Sequence, residues 1–246
     1  MKHILILWLL LFPNIANCQT VHLAVATNFK QSMQKLADIF TSQTNHDIII
    51  SSGSTGKIYA QIINGAPFQI FLAADQKRPS LLVDAGLADK KNQFTYALGR
   101  LVLWAPKTNL KTIKLEYLQS KKKLPIALSN PKIAPYGLAA KEVMQSTKSW
   151  SLHQNNMAFG ENVAQTLAFV ASGSVDSGFV ALSQIVSLKV DPKQIHIIPA
   201  KYYNPIRQDA ILLNQGKQNP AALALLEFLK SVKIQDTIKT MGYALP

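Results

Sequence analysis

The run Gly53-Ser54-Thr55-Gly56-Lys57 places two hydroxyls, two glycines and an amine between a β-branched stretch, Ile48-Ile49-Ile50-Ser51-Ser52, and a helical pattern, Ile58-Tyr59-Ala60-Gln61. A loop that opens a helix in this way presents unpaired N–H groups and hydroxyls at the positive end of the helix dipole, which suits it to an anion. Gly56-Lys57 invites comparison with a nucleotide phosphate loop, but that motif needs Gly, four residues, then Gly-Lys-Ser/Thr. Here position 51 is Ser, the glycines stand three apart and Ile58 follows the lysine. The loop is too short to wrap a triphosphate and suits a small compact anion.

Three further loops share its character: Ala26-Thr27-Asn28-Phe29, Ala134-Pro135-Tyr136-Gly137 and Gly160-Glu161-Asn162-Val163. Each precedes a helical pattern. Taken singly, each reads as ordinary capping, since Ser, Thr and Asn cap helices routinely. Four such loops, two in each half of the chain, point to a shared shell of neutral donors. Lys57, at the start of its helix, is expected to turn outward, and Glu161 to face solvent. Asp75 reads as a helix cap and Tyr59 as helix packing. The five histidines (His3, His22, His46, His153, His196) lack metal-ligand spacing, and no Ser-His-Asp motif is present. The reading is of no catalytic residue, no cofactor and no metal held directly by side chains.

The elements that must position these loops alternate between strand and helix periodicity. Strands are predicted over 21–26, 48–52, 68–73, 95–104, 125–128, 175–180, 194–199 and 207–213. Helices are predicted over 29–40, 57–64, 77–85, 138–144, 163–172 and 221–240, the last possibly in two pieces. This is an α/β pattern with mostly parallel sheets, and ligands in such folds bind beyond the carboxyl ends of the strands. If two lobes exist, the chain crosses between them near residues 95–101 and 205–212. The implied division is 19–97 with 209–246 as one lobe and 98–208 as the other.

Residues 1–18 read as a secretory leader: Lys2 and His3, the apolar stretch Ile4–Phe12, then Pro13 and Ala16-Asn17-Cys18 before Gln19. The stretch is too short for a membrane span. Cys18 is the sole cysteine, so the exported chain has no disulfide, and lipid anchoring at Cys18 is a secondary reading. The 26 Lys+Arg against 13 Asp+Glu raise the question of nucleic acid. The lysines are dispersed apart from Lys121-Lys122-Lys123 and lack interleaved aromatics, so no nucleic-acid function is expected.

The loops 26–29 and 53–62, the segment Asn64-Gly65-Ala66-Pro67-Phe68 through Ala73-Ala74-Asp75-Gln76, Pro135-Tyr136-Gly137-Leu138-Ala139-Ala140 and Met241-Gly242-Tyr243 together resemble the periplasmic molybdate-binding proteins of ABC transporters. The resemblance covers essentially the whole chain after the leader. It implies two Rossmann-like lobes joined by crossing strands, in the type II periplasmic-binding-protein architecture. It also implies a monomer that captures molybdate or tungstate and delivers it to a membrane permease. Carried over by motif, the ligand-binding residues are Thr27, Asn28, Ser54, Thr55, Tyr136 and, through its N–H, Val163. One branch of the family uses a tyrosine where this chain has Ala181 and a serine where it has Asn28. This chain resembles the other branch, with Tyr136 in the site.

Two other readings fit the same loops: a receptor for another tetrahedral oxyanion such as sulfate, and an exported hydrolase or transferase using Asp75 or Glu161 as base. Replacing Ser54 and Thr55 together by alanine is expected to weaken anion binding with little effect on the fold.

Overall fold

The computed structural model describes residues 18–119 and 124–246. The leader up to residue 17 and the Lys121–Lys123 run lie outside the described residues. The chain begins with β1 (Thr20–Ala26), α1 (Lys30–Thr44), β2 (Asp47–Gly53), α2 (Thr55–Ile63), β3 (Ile70–Leu72), α3 (Lys77–Asp84) and β4 (Ala88–Gly99). It continues through β5 (Leu101–Trp104), α4 (Leu110–Ile113), β6 (Ile126–Ser129), α5 (Pro135–Ser146), α6 (Trp150–His153), β7 (Met157–Gly160) and α7 (Val163–Ala171). β8 (Ser177–Ala181), α8 (Leu182–Leu188), β9 (Ile195–Ile197), β10 (Ile206–Leu213), α9 (Pro220–Lys230) and α10 (Val232–Thr240) complete it.

Two five-stranded sheets form two lobes, in the orders β2-β1-β3-β10-β4 and β7-β6-β8-β5-β9. In the first, period-two alternation sends Ile70 and Leu72 of β3 to one face, against α1 and α9, and Phe71 to the other, against α2. α1 meets the sheet through Met33, Leu36 and Phe40, spaced by three and four residues and fully buried. α9 starts on Asn219, whose side chain accepts from the Ala221 N–H, with Pro220 at the first helical position. Ser231, in extended conformation, separates α9 from α10.

The expectation of mostly parallel sheets needs correction. β1 pairs parallel with β2 and β3, and β6 parallel with β7 and β8. β10 is antiparallel to β3 and β4, and β5 is antiparallel to β8 and β9. The cause is the crossing of the chain. β1–β3 and β6–β8 run with their carboxyl ends towards the gap between the lobes, whereas β5 and β10 enter their sheets from that gap and must run away from it. The predicted single strand 95–104 is likewise two strands, which part at Arg100 into different sheets. β7, α8 and residues 88–94 of β4 were not legible as elements. β7 is four residues long and largely half-exposed, so its periodicity is too short to register.

Candidate functional site

The parallel registers assemble the loops in pairs. Ala26 lies opposite Gly53 and Ser129 opposite Gly160, so the loops leaving those strands are side by side. In the first lobe the Thr27 N–H donates to the Gly53 carbonyl at 3.1 Å. In the second, the Asn130 N–H donates to the Gly160 carbonyl at 2.7 Å. The two pairs face each other across the gap, and the N-termini of α2, α5 and α7 converge there.

Between them lies a small cavity, ≈ 10 Å³ in this arrangement of the lobes. Thr27, Asn28, Ser54, Thr55, Tyr136 and Val163 all line it, with Ala26, Gly53, Ala74, Ala134, Pro135 and Asn162. No ionisable carboxylate, amine, guanidinium or imidazole is among them. A larger cleft of ≈ 250 Å³ lies beside it, lined by Asp75, Arg78, Glu142 and Arg207 among others. It is of mixed charge, and Arg78 there is already held by Asp75 and by the Lys132 carbonyl.

Capping does not account equally for the four loops. It holds for Asn162, whose side-chain oxygen accepts from the Ala164 and Gln165 N–H groups. The Val163 N–H, at the first position of α7, has no helical acceptor. It fails for Ser54. This residue occupies the N-cap of α2 yet makes no side-chain cap bond. Of the five buried side-chain polar atoms without a partner among the described residues, only Ser54 Oγ belongs to the cavity lining. An unsatisfied buried hydroxyl costs roughly 1–3 kcal/mol, so its retention needs a reason.

Thr55 behaves differently. Its Oγ1 accepts from the buried Ala74 N–H at 3.1 Å, so its oxygen supports the loop after β3 while its proton remains to donate. The joint Ser54 and Thr55 replacement would therefore not spare the fold: it would strand the Ala74 N–H. Thr27 spends its N–H on Gly53 and retains its hydroxyl. Asn28 commits its side-chain NH₂ to Gln208 Oε1 at 2.8 Å and to the Tyr243 hydroxyl at 3.4 Å, leaving its main-chain N–H. Burial pushes the Tyr136 phenol well above the usual tyrosine range, partly opposed by the Gln208 NH₂ that donates to its oxygen. It is a neutral donor.

Lys57 and Glu161 both face solvent, as expected, but they meet: Nζ and Oε1 are 3.0 Å apart across the mouth of the gap. Close by, the Gly56 N–H donates to the Ile133 carbonyl at 2.9 Å. Asp75 caps the first turn of α3 through the Arg78 N–H, and Tyr59 packs beside Ile58 and Ile62. The sequence reading missed Gln208, Tyr96 and Tyr243. Gln208-Asp209 was a legible signal, an adjacent polar pair inside the apolar strand Ile206–Leu213.

Two lobes thus present neutral donors to one shared cavity. A family profile described as bacterial extracellular solute-binding protein matches residues 21–244. The chain belongs to the bacterial extracellular solute-binding proteins. Within that family it is 41% identical over 231 residues to the molybdate-binding protein ModA of Azotobacter vinelandii, covering 94% of this chain and 92% of the relative. It is 37% identical to the molybdate-binding protein ModA of Rhodobacter capsulatus, over 89% of this chain and 86% of that one. The solved Azotobacter vinelandii periplasmic molybdate-binding protein superposes with a TM-score of 0.87 at 39% identity, covering 92% of this chain and 99% of that one. This solute-binding protein thus has the two-lobed type II architecture. Among its described residues no helix is long and apolar enough to cross a membrane, and no cluster of three or more His, Cys, Asp or Glu residues could hold a metal ion.

Proposed function

We propose that this solute-binding protein captures molybdate or tungstate outside the cytoplasm and hands it to the permease of an ABC transporter, without catalysing a reaction. The observation that carries the proposal is the buried, unpartnered Ser54 hydroxyl in a cavity lined only by neutral groups. A tetrahedral dianion supplies the missing acceptors. Hydroxyls of Thr27, Ser54, Thr55 and Tyr136, with N–H groups of Asn28 and Val163, would hold it through charge-assisted hydrogen bonds, preorganised by the helix starts. The printed names of the curated relatives give the anion its class.

Selectivity against phosphate follows from the same inventory. Monohydrogen phosphate carries a proton that needs an acceptor, and no carboxylate lines the cavity. Glu161, the one acid in these loops, is engaged by Lys57 at the surface. We take residues 1–18 as a secretory leader, which supports a periplasmic location with Cys18 as the alternative point of lipid attachment, and we take the chain to act as a monomer. We take 19–97 with 209–246 as one lobe and 98–208 as the other. The parting of β4 and β5 at Arg100 supports that division.

Isothermal titration with molybdate and tungstate tests the reading, with sulfate in large excess as competitor. Saturable one-to-one binding that survives sulfate is expected. No binding of either metal oxyanion, or displacement by sulfate, would overturn it.

A further inference from the structure

Tyr136 is a phenol, so it can present either a proton or a lone pair to the cavity, and only the proton suits a bare oxyanion. Its direction is set by a chain of hydrogen bonds that begins at an atom with no choice. The Asn28 main-chain carbonyl can only accept. It takes the Tyr243 hydroxyl proton at 2.8 Å and the Ser183 hydroxyl proton at 3.1 Å. With its proton so committed, the Tyr243 oxygen can only accept from Asn28, which must turn its NH₂ that way. The same NH₂ then faces Gln208, which must answer with its carbonyl oxygen, 2.8 Å away. Tyr96 donates to that oxygen as well, at 3.0 Å. The Gln208 NH₂ is thereby directed at the Tyr136 oxygen, 3.3 Å away.

We propose that Gln208 is a positioning residue: it occupies the Tyr136 oxygen as a donor and so leaves the phenolic proton, not a lone pair, for the ligand. At this position the cavity thereby offers a proton and no lone pair, so an anion that carries its own proton finds no acceptor in Tyr136. Gln208 is completely buried in β10, one of the two strands that cross between the lobes. Gly99, in the other crossing strand, makes the contact possible. A Cβ there would stand 2.4 Å from the Tyr136 hydroxyl and 2.7 Å from the Gln208 nitrogen. Burial keeps the phenol protonated, so the direction of the proton is the variable that remains. The inference rests on the oxyanion-receptor reading and deepens it: it assigns the exclusion of protonated anions to a residue that does not line the cavity.

The test compares the wild type, Gln208→Met, Tyr136→Phe and the double variant by isothermal titration. The probes are molybdate and inorganic phosphate, in buffer alkaline enough that phosphate is the monohydrogen dianion. Methionine removes the donor at similar length. Tyr96 keeps the Ala73 carbonyl as acceptor at 3.2 Å, and Asn28 keeps Tyr243. In Gln208→Met the phenol is free to turn and accept, so the ratio of phosphate to molybdate affinity should rise about ten-fold, one hydrogen bond's worth. In the double variant no phenol remains to accept, and the ratio should return to that of Tyr136→Phe. Gln208→Glu provides a second route if the methionine variant folds poorly. Its carboxylate can only accept, it draws the phenolic proton away from the cavity, and its charge acts equally on both dianions. The ratio should rise here too. A merely structural role would weaken both anions alike, so an unchanged ratio in both Gln208 variants overturns the assignment while leaving the receptor reading intact. A wild type that ignores molybdate overturns that reading, and this inference with it.

Discussion

Replacing Ser54 by alanine should move stability and affinity in opposite directions. The Ser54 hydroxyl is buried with no protein partner, so removing it strands no protein group and, without ligand, relieves at most a desolvation penalty of roughly 1–3 kcal/mol. Lost packing around one oxygen offsets part of this, and a net gain of up to about 1 kcal/mol is expected. For a chain of this length that raises the melting temperature by about 2–4 °C. In the liganded protein the same change deletes a hydrogen bond to a charged group, worth about 1.5–3 kcal/mol, so molybdate affinity should fall about 10- to 150-fold. Thermal melts with and without molybdate, joined to isothermal titration, read both effects, because a ligand that binds only the native state raises its apparent stability. Thr55→Ala is the control. It strands the buried Ala74 N–H and should lower the ligand-free melting temperature. A Ser54→Ala protein that is less stable without ligand, and binds molybdate as tightly as the wild type, would refute the reasoning.

Gly56→Ala places a Cβ 3.0 Å from the Ile133 carbonyl of the facing lobe and 3.1 Å from its Cα and Cβ. The expected result is a several-fold faster ligand dissociation with an unchanged ligand-free melt, read by stopped-flow fluorescence. Lys57→Ala breaks an ion pair whose two side chains are 53% and 44% exposed. After screening it is worth at most a few tenths of a kcal/mol, so affinity should fall about two-fold at low salt and not at all near 1 M salt. Burial holds the Tyr243 hydroxyl up at about 12 and pushes Tyr96 and Tyr136 up as well. Each therefore stabilises the fold fully below the unfolded tyrosine value of about 10. For Tyr243, stability should be lost as pH rises from about 10 to about 12, by up to about 1.4 kcal/mol per pH unit, and Tyr96 and Tyr136 add to the loss in the same direction. Urea unfolding across that range checks this, and a flat profile would contradict the burial of the network.

Within the fold, residues with strong local periodicity were legible. Met33, Leu36 and Phe40 announce α1, and the run 48–50 announces β2. What failed was short or depended on direction. The 95–104 stretch is uniformly strand-like along its length, and nothing local marks Arg100 as the point where one sheet ends and another begins. Strand direction is a property of how the chain crosses the gap, so the antiparallel pairing of β5 and β10 could not be read from periodicity.

The candidate site divides in the same way. Which residues can donate to an anion is a matter of side-chain chemistry at strand-to-helix junctions. The four strand-to-helix loops stand out in the sequence because a helix start leaves N–H groups unpaired wherever it occurs, while the choice of Thr27, Asn28, Ser54, Thr55, Tyr136 and Val163 within them is what the resemblance to the molybdate-binding family implies. Which of those donors remain free is decided only by tertiary contacts. Ser54 and Asn162 look alike as caps, yet one caps and the other does not. Asn28 looks like a ligand group, yet its side-chain NH₂ is taken by Gln208, 180 residues away. A hydrogen bond is spent once, and its partner here arrives from the far end of the chain. The amino-acid sequence therefore determines the inventory of donors, and the folded structure alone determines their allocation.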